Sequence, residues 1–333
     1  MSSVRDRLRY ADNYCVLARH QVDNGQLQEA LESLQAALRL APHHLPAVQA
    51  QARLLCRLDL AEEARAHLQR WQVLDGSNPE CHLLLGNVAL SLRQFVAALE
   101  HYAQAQSLGD DTACIEYNMG LAYYFLDELP AAEGSFRRAL ELEPRLAAAT
   151  DGLGLLARQR GQAEAAAALF RQAYATDPTL VEALDHLVQV YLEQGRLQSA
   201  QEMLEAGLQQ TPEWPRLWHL LGVVYAAQDD HLRAVRAFKQ ALALHPQQAE
   251  TDRRLAVSLR SLGQWAEAML ALDRALQAEG ETTQVLLERG RTLAACGRTQ
   301  AALDDLLRAW ELEPGNAEVA AALDTIRRTV REV

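Results

Sequence analysis

A metal site or a nucleophile in this chain would have to be assembled from five cysteines and ten histidines. The cysteines are Cys15, Cys56, Cys81, Cys114 and Cys296. No two stand in a C-x-x-C pair, the spacing that gathers thiolates on zinc or in a redox centre. Reduced, mostly buried thiols are the expectation. His43 and His44 fall in a short polar turn and read as solvated imidazoles. His186, beside Asp185, could act as a pH-sensitive contact, although a hydrogen-bonded surface role is the plainer reading. There is no Gly-rich phosphate loop, no G-x-S-x-G elbow and no H-E-x-x-H pair. No catalytic residue, metal ligand or cofactor is assigned, and a non-enzymatic chain is expected.

The net charge of the 333-residue chain is −12, which disfavours contact with phosphate backbones and argues against nucleic acid as a partner. Lys239 is the single lysine, and with the abundance of Ala and Leu this composition suggests a GC-rich bacterial genome. The N-terminal stretch MSSVRDRLRYADNY is charged and lacks the apolar core of a secretory signal. No apolar run of about 18 residues exists, so no direct membrane insertion is expected and the chain reads as cytoplasmic.

The elements that must position any site are repeats. Gly120, Ala132, Ala139 and Pro144 recur 34 residues on as Gly154, Ala166, Ala173 and Pro178. The same step yields Gly222, Ala234, Ala241 and Pro246, and later Gly290, Ala302, Ala309 and Pro314. Nine units of 34 fill residues 11–316 without an insertion: 11–44, 45–78, 79–112, 113–146, 147–180, 181–214, 215–248, 249–282 and 283–316. Each holds two amphipathic segments separated by a short turn. Position 15 of the unit is Gly in five units and Asp or Arg in the rest, suiting a left-handed residue that closes a helix. Proline at position 32 stops the second helix. Small residues at positions 8, 20 and 27 allow close helix approach, and larger ones at 4, 7, 11 and 24 fill the adjoining gaps.

This pattern resembles the tetratricopeptide repeat family over more than nine-tenths of the chain, and the unit at 113–146 matches every consensus position. The resemblance implies an all-α, right-handed α-α superhelix of about 19 helices. Pentatricopeptide repeats, which read RNA, are the near relative, but their usual period is one residue longer. Residues 317–333 look like a solvating helix with an apolar stripe at Val319, Leu323, Ile326 and Val330 and polar Asp324 and Arg327 on the uncovered side. Residues 1–10 extend the first helix. The unit at 45–78 departs most, with Gln51 at an apolar position, Trp71 at a small one and Gly76 in place of Pro. It reads either as an irregular but ordinary repeat or as a bend that would set the first two units apart.

In the family the first helix of each pair lines a concave groove, so positions 2, 5, 6, 9, 12 and 13 would face a ligand. Here these supply Leu83, Asn87, Tyr117, Asn118, Leu121, Tyr124 and Phe125, then Asp151, Arg158, Asp185, His186, Gln189 and Glu193. Toward the C-terminus they supply Arg216, His219, Arg253, Arg254, Arg260 and Arg291. Tyr117, Tyr124 and Phe125 are aromatic anchors for a peptide or pack on neighbouring helices. The arginines hold acidic groups of a ligand or local partners such as Glu250 and Glu288. Some family members grip C-terminal tails with a carboxylate clamp. Asn87 and Asn118 match its asparagines, but Leu83, Ala148 and Gly152 occupy its cationic places, so that clamp is broken. The resulting expectation is a scaffold for a protein or peptide with an acidic segment, serving assembly, secretion or localisation of a bacterial complex. A peptide-responsive sensor and a homo-oligomer joined through the uncapped N-terminal end are the alternatives.

Overall fold

The computed structural model describes residues 4–331, with side chains through Arg328. Among the described residues all regular structure is helical. The chain divides into two compact units at Asp177 and Pro178. In the N-terminal unit, α1 (Val4–Asp23) pairs with α2 (Leu27–Leu40) and α3 (Leu45–Arg57) with α4 (Ala61–Leu74). Next come α5 (Pro79–Ser91) with α6 (Phe95–Ser107), α7 (Ala113–Phe125) with α8 (Leu129–Leu142), and α9 (Ala147–Gln159) with α10 (Ala163–Thr176). The C-terminal unit holds α11 (Val181–Glu193) with α12 (Leu197–Gln210) and α13 (Pro215–Ala227) with α14 (His231–Leu244). It continues with α15 (Ala249–Ser261) and α16 (Trp265–Glu279), α17 (Thr283–Ala295) and α18 (Thr299–Leu312), and ends with α19 (Ala317–Arg331).

Each hairpin turns in one way. The residue at repeat position 15 has a positive φ in all nine, whether it is Gly25, Gly161, Gly195, Gly263 and Gly297 or Asp59, Arg93, Asp127 and Asp229. The next N–H then reaches the carbonyl five residues back, as in Glu128 to Tyr123 at 2.9 Å and Arg196 to Tyr191 at 2.7 Å. This Schellman bond satisfies a carbonyl that the helix end leaves without a partner.

Four of the nine hairpins are gauged by one contact. A Cβ added to Gly86, Gly120, Gly154 or Gly222 would stand 2.5–2.6 Å from the ring of Tyr102, Phe136, Phe170 or Phe238, sixteen residues on. These rings are fully buried. Where repeat position 24 is Leu instead, position 8 carries Ala18, Ala52, Val188, Ala256 or Gly290. Ring against glycine, and leucine against alanine or valine in four of the other five hairpins, keep the interhelical volume filled, while in the last hairpin Leu306 itself closes on Gly290, where a Cβ would lie 2.7 Å from it. Gly152 opens the other side of the Phe136 ring, where a Cβ would again lie 2.6 Å away, so this ring also sets how the fifth hairpin docks on the fourth.

Residues 45–78 lie within the N-terminal unit. Trp71 is fully buried at a position that is Ala or Gly in the other repeats, and its Nε1 has no hydrogen-bond partner among the described residues. Gln51 is buried likewise, with Oε1 unsatisfied. At the other end α19 covers the last hairpin. Val319, Leu323 and Ile326 are buried against Leu286, Leu306 and Ala309, whereas Asp324 and Arg327 face solvent. Val330 lies outside the described side chains.

Candidate functional site

Within each unit successive odd-numbered helices lie side by side and present the positions singled out above. Polar side chains tie these helices together. In the N-terminal unit Arg53 on α3 forms a two-pronged bond to Glu80 on α5, at 2.5 and 2.6 Å. That bond holds the Glu80 carboxyl below its ordinary range. Asn118 on α7 donates to Asn87 Oδ1 on α5 at 2.9 Å, and the Tyr102 hydroxyl donates to the same oxygen at 2.9 Å. Burial pushes the Tyr102 phenol up, keeping it a neutral donor. The two asparagines are thus bonded to each other across adjacent helices.

The aromatic group on α7 is partly structural. Tyr117, Leu121 and Tyr124 are half-buried and pack on the cluster around Phe136, with the Tyr117 and Phe136 ring centroids 5.9 Å apart. Leu83 packs similarly on the cluster around Tyr102. Phe125 is different. It stacks on Phe95 at 5.0 Å, meets Tyr124 edge-on at 5.6 Å, and still exposes 52% of its surface. Asp151 is buried, and Arg158 is half-buried.

In the C-terminal unit the predicted arginines already have acids. Arg216 bonds Asp185 through Nε at 2.8 Å and through a second nitrogen, and Gln189 donates to the other Asp185 oxygen at 3.0 Å. Arg260 reaches Glu288 at 2.6 Å, and Arg291 bridges Glu288 at 2.7 Å and Glu318 at 3.1 Å. Arg253 lies 3.5 Å from Glu279, and Arg254 lies 3.8 Å from Glu250. His219 is buried, with Nδ1 2.8 Å from Thr251 Oγ1, and desolvation pushes its pKa down to about 4. His186 is half-buried on the same helix as Asp185. A cavity of about 360 Å³ lies between α15, α17 and the start of α19, lined by Arg253, Arg254, Val257 and Leu287 among others.

Two expectations about polar residues are corrected. His44 is buried rather than solvated, because its ring tucks against α1 with Nε2 3.0 Å from Asp12 and Nδ1 3.9 Å from Cys15 Sγ. Of the five thiols only Cys81 is buried, since Cys15, Cys56 and Cys296 are partly open and Cys114 is exposed; all are free. No cluster of metal-ligating side chains and no helix long and apolar enough to cross a membrane occurs among the described residues.

The structure also opens a groove at the first two hairpins, where no site residue is expected from the sequence. It measures about 350 Å³, lies between α1 and α3, and is lined by Cys15, Arg19, Val22, Leu34, Arg53, Leu54 and Arg57 among others. The signal was available: Arg19 and Arg53 both occupy repeat position 9, one of the six that face a ligand.

Stacked helix hairpins of constant length, closed by left-handed residues and gauged by a ring over a glycine, define an all-α helical-repeat protein. Tetratricopeptide repeat models match residues 21–88 and 157–223, 117–180 and 253–317, and 215–248. The chain belongs to the tetratricopeptide repeat family, whose fold is in general a protein-interaction scaffold. It is 28% identical over 148 residues to tetratricopeptide repeat protein 8 of Caenorhabditis elegans, covering 44% of this chain and 29% of that one. The match therefore spans under a third of that relative. Among solved structures, an IFIT1 monomeric mutant with Gppp-AAAA has a TM-score of 0.62 at 18% identity, covering 99% of this chain and 85% of that one. The APC/C hetero-tetramer Cut9-Hcn1 gives 0.59 at 17% identity over 90% of this chain and 59% of the other. Pseudomonas aeruginosa pilF gives 0.54 at 24% identity, over 63% of this chain and 95% of that one. These are likenesses of fold.

Proposed function

We propose that this chain is a non-catalytic scaffold that takes a peptide segment of a partner protein on the face made by the odd-numbered helices of its N-terminal unit. Its service is the assembly, secretion or localisation of a bacterial complex in the cytoplasm. The observation that carries this reading is the aromatic surface of Phe95, Tyr124 and Phe125. Phe125 is not needed for the ring-to-glycine contact that gauges the hairpins, and half its surface faces water. Exposed aromatic surface of this kind anchors partners by burial of apolar area at low entropic cost. The nearby Asn87–Asn118 pair offers further amide groups that a peptide backbone can engage.

The arginines of the C-terminal unit support an acidic ligand only by exchange, because each would trade an existing acid for the incoming one. Exchange of one ion pair for another adds little net affinity. The test is capture of partners from a lysate of the source cells by the wild type and by Phe125→Ser, with circular dichroism confirming the fold. A partner retained by the wild type and lost by the variant supports the reading. Equal retention, or no retained protein at all, overturns it.

A second reading, self-association, is favoured by α1. Val4, Leu8, Tyr10, Val16 and Leu17 are all exposed on this one helix. Sedimentation that shows mass rising with concentration in the wild type, and not in Leu8→Asp/Val16→Asp, supports it. A monomer at all concentrations refutes it.

A further inference from the structure

The groove between α1 and α3 has an apolar floor and a cationic rim. Val22, Leu34 and Leu54 line the floor, and Arg19, Arg53 and Arg57 stand around it. The three arginines are not equivalent. Arg53 is neutralised by its two-pronged bond to Glu80. Arg19 and Arg57 are exposed, and neither has a hydrogen-bond or ion-pair partner among the described residues. Asp12, three residues before Cys15 on α1, is held on His44 at 3.0 Å. This sets the groove apart from the C-terminal unit, where Arg216, Arg253, Arg254, Arg260 and Arg291 each have a carboxylate in reach. In a chain of net charge −12, two uncompensated guanidinium groups facing one apolar groove form a local field of the opposite sign.

We infer that this groove is a docking subsite for a partner's peptide segment in which apolar side chains alternate with carboxylates, the carboxylates pairing with Arg19 and Arg57. The apolar residues of the segment cover Val22, Leu34 and Leu54. The carboxylates gain charge-assisted hydrogen bonds without displacing any acid of the chain. Arg53 stays on Glu80 and forms part of the wall. The inference rests on the reading of the odd-helix face as a peptide-binding surface. It places the acidic preference at the first two hairpins instead of the C-terminal unit.

Cys15 supplies the reporter, because this partly open residue lines the same groove. The experiment uses the full chain and short acetylated, amidated peptides of alternating leucine and aspartate, leucine and serine, or leucine and lysine. Binding is read by fluorescence anisotropy, and alkylation of each cysteine by iodoacetamide is followed by mass spectrometry. The leucine–aspartate peptide is expected to bind and to slow alkylation of Cys15, with Cys114 and Cys296 unchanged. Arg19→Gln/Arg57→Gln, which alters only exposed side chains, is expected to weaken that binding about 10-fold or more. Equal binding of the leucine–serine peptide overturns the acidic preference. Binding without protection of Cys15, and unchanged in the double variant, overturns the subsite but leaves peptide capture by the scaffold standing. Absence of binding by the leucine–aspartate peptide also overturns the subsite, whereas the Phe125→Ser capture experiment reports on the scaffold reading by itself.

Discussion

Replacing Gly120 by alanine places one methyl group where the structure has a ring. The new Cβ would lie 2.6 Å from both Cδ1 and Cε1 of Phe136. Real carbon contacts do not approach so closely, and Phe136 is fully buried between Gly120 and Gly152, so the ring has no free direction of retreat. Overpacking of this kind costs about 1–3 kcal/mol. Alanine also improves helix propensity at a mid-helix glycine by about 1 kcal/mol. The balance is a net loss of about 1 kcal/mol for Gly120→Ala. The propensity gain can be measured alone at Gly134, an exposed glycine of α8 with nothing within 4 Å of an added Cβ. Gly134→Ala should therefore stabilise by up to about 1 kcal/mol. Phe136→Leu in the Gly120→Ala background should cost less than in the wild type, since Ala18, Ala52 and Ala256 each face a leucine at the same repeat offset. Repeat proteins open in parts, so the readout is hydrogen exchange of the α7 and α8 amides together with the urea midpoint. If Gly120→Ala stabilises as much as Gly134→Ala, the ring-over-glycine contact does not gauge the hairpin and the packing argument fails.

Three further outcomes are expected. His219 is held neutral by burial, with its pKa lowered from 6.5 to about 4. The unfolded chain takes up this proton first, so stability is full above pH 6.5 and falls toward pH 4, by at most about 3 kcal/mol; thermal melts of the wild type and His219→Gln should diverge in slope over this window, and parallel curves would refute the assignment. Arg93 holds a φ of +59° that side chains adopt at a cost, so Arg93→Gly should raise the urea midpoint by the equivalent of about 0.5–1 kcal/mol, and a lowered midpoint would contradict it. Arg289 grips the buried Asp305 with two bonds of 2.7 Å, and Asp305→Ala should destabilise the α17–α18 hairpin by about 3 kcal/mol, read as early exchange of its amides; unchanged exchange there would show the pair to be dispensable.

Much of the fold was legible because each repeat states its own rules. The left-handed turn residue was expected at position 15 from five glycines, and Asp59, Arg93, Asp127 and Asp229 adopt the same backbone at that place. What the repeat could not reveal is which neighbour a side chain meets. Arg216 and Asp185, or Arg291 and Glu318, stand about one repeat apart in sequence but side by side in space, and their pairing depends on rotamers on two helices. Tyr117 and Phe125 illustrate the same limit. Both are aromatic and sit at ligand-facing positions, yet one is packed on Phe136 and the other is half-exposed over Phe95. The burial of His44 was not legible, because a turn in sequence is a surface only if nothing folds over it, and α1 does.

Within each unit every helix packs only on the next one or two helices along the chain. Among the described residues of a unit no helix contact waits for a distant segment, so the entropy of closing large loops opposes assembly little. Within a unit a hairpin can therefore settle as soon as it has left the ribosome, on a surface that the preceding hairpin of the same unit supplies. Synthesis and folding can advance at the same pace, with little apolar surface left waiting for its partner.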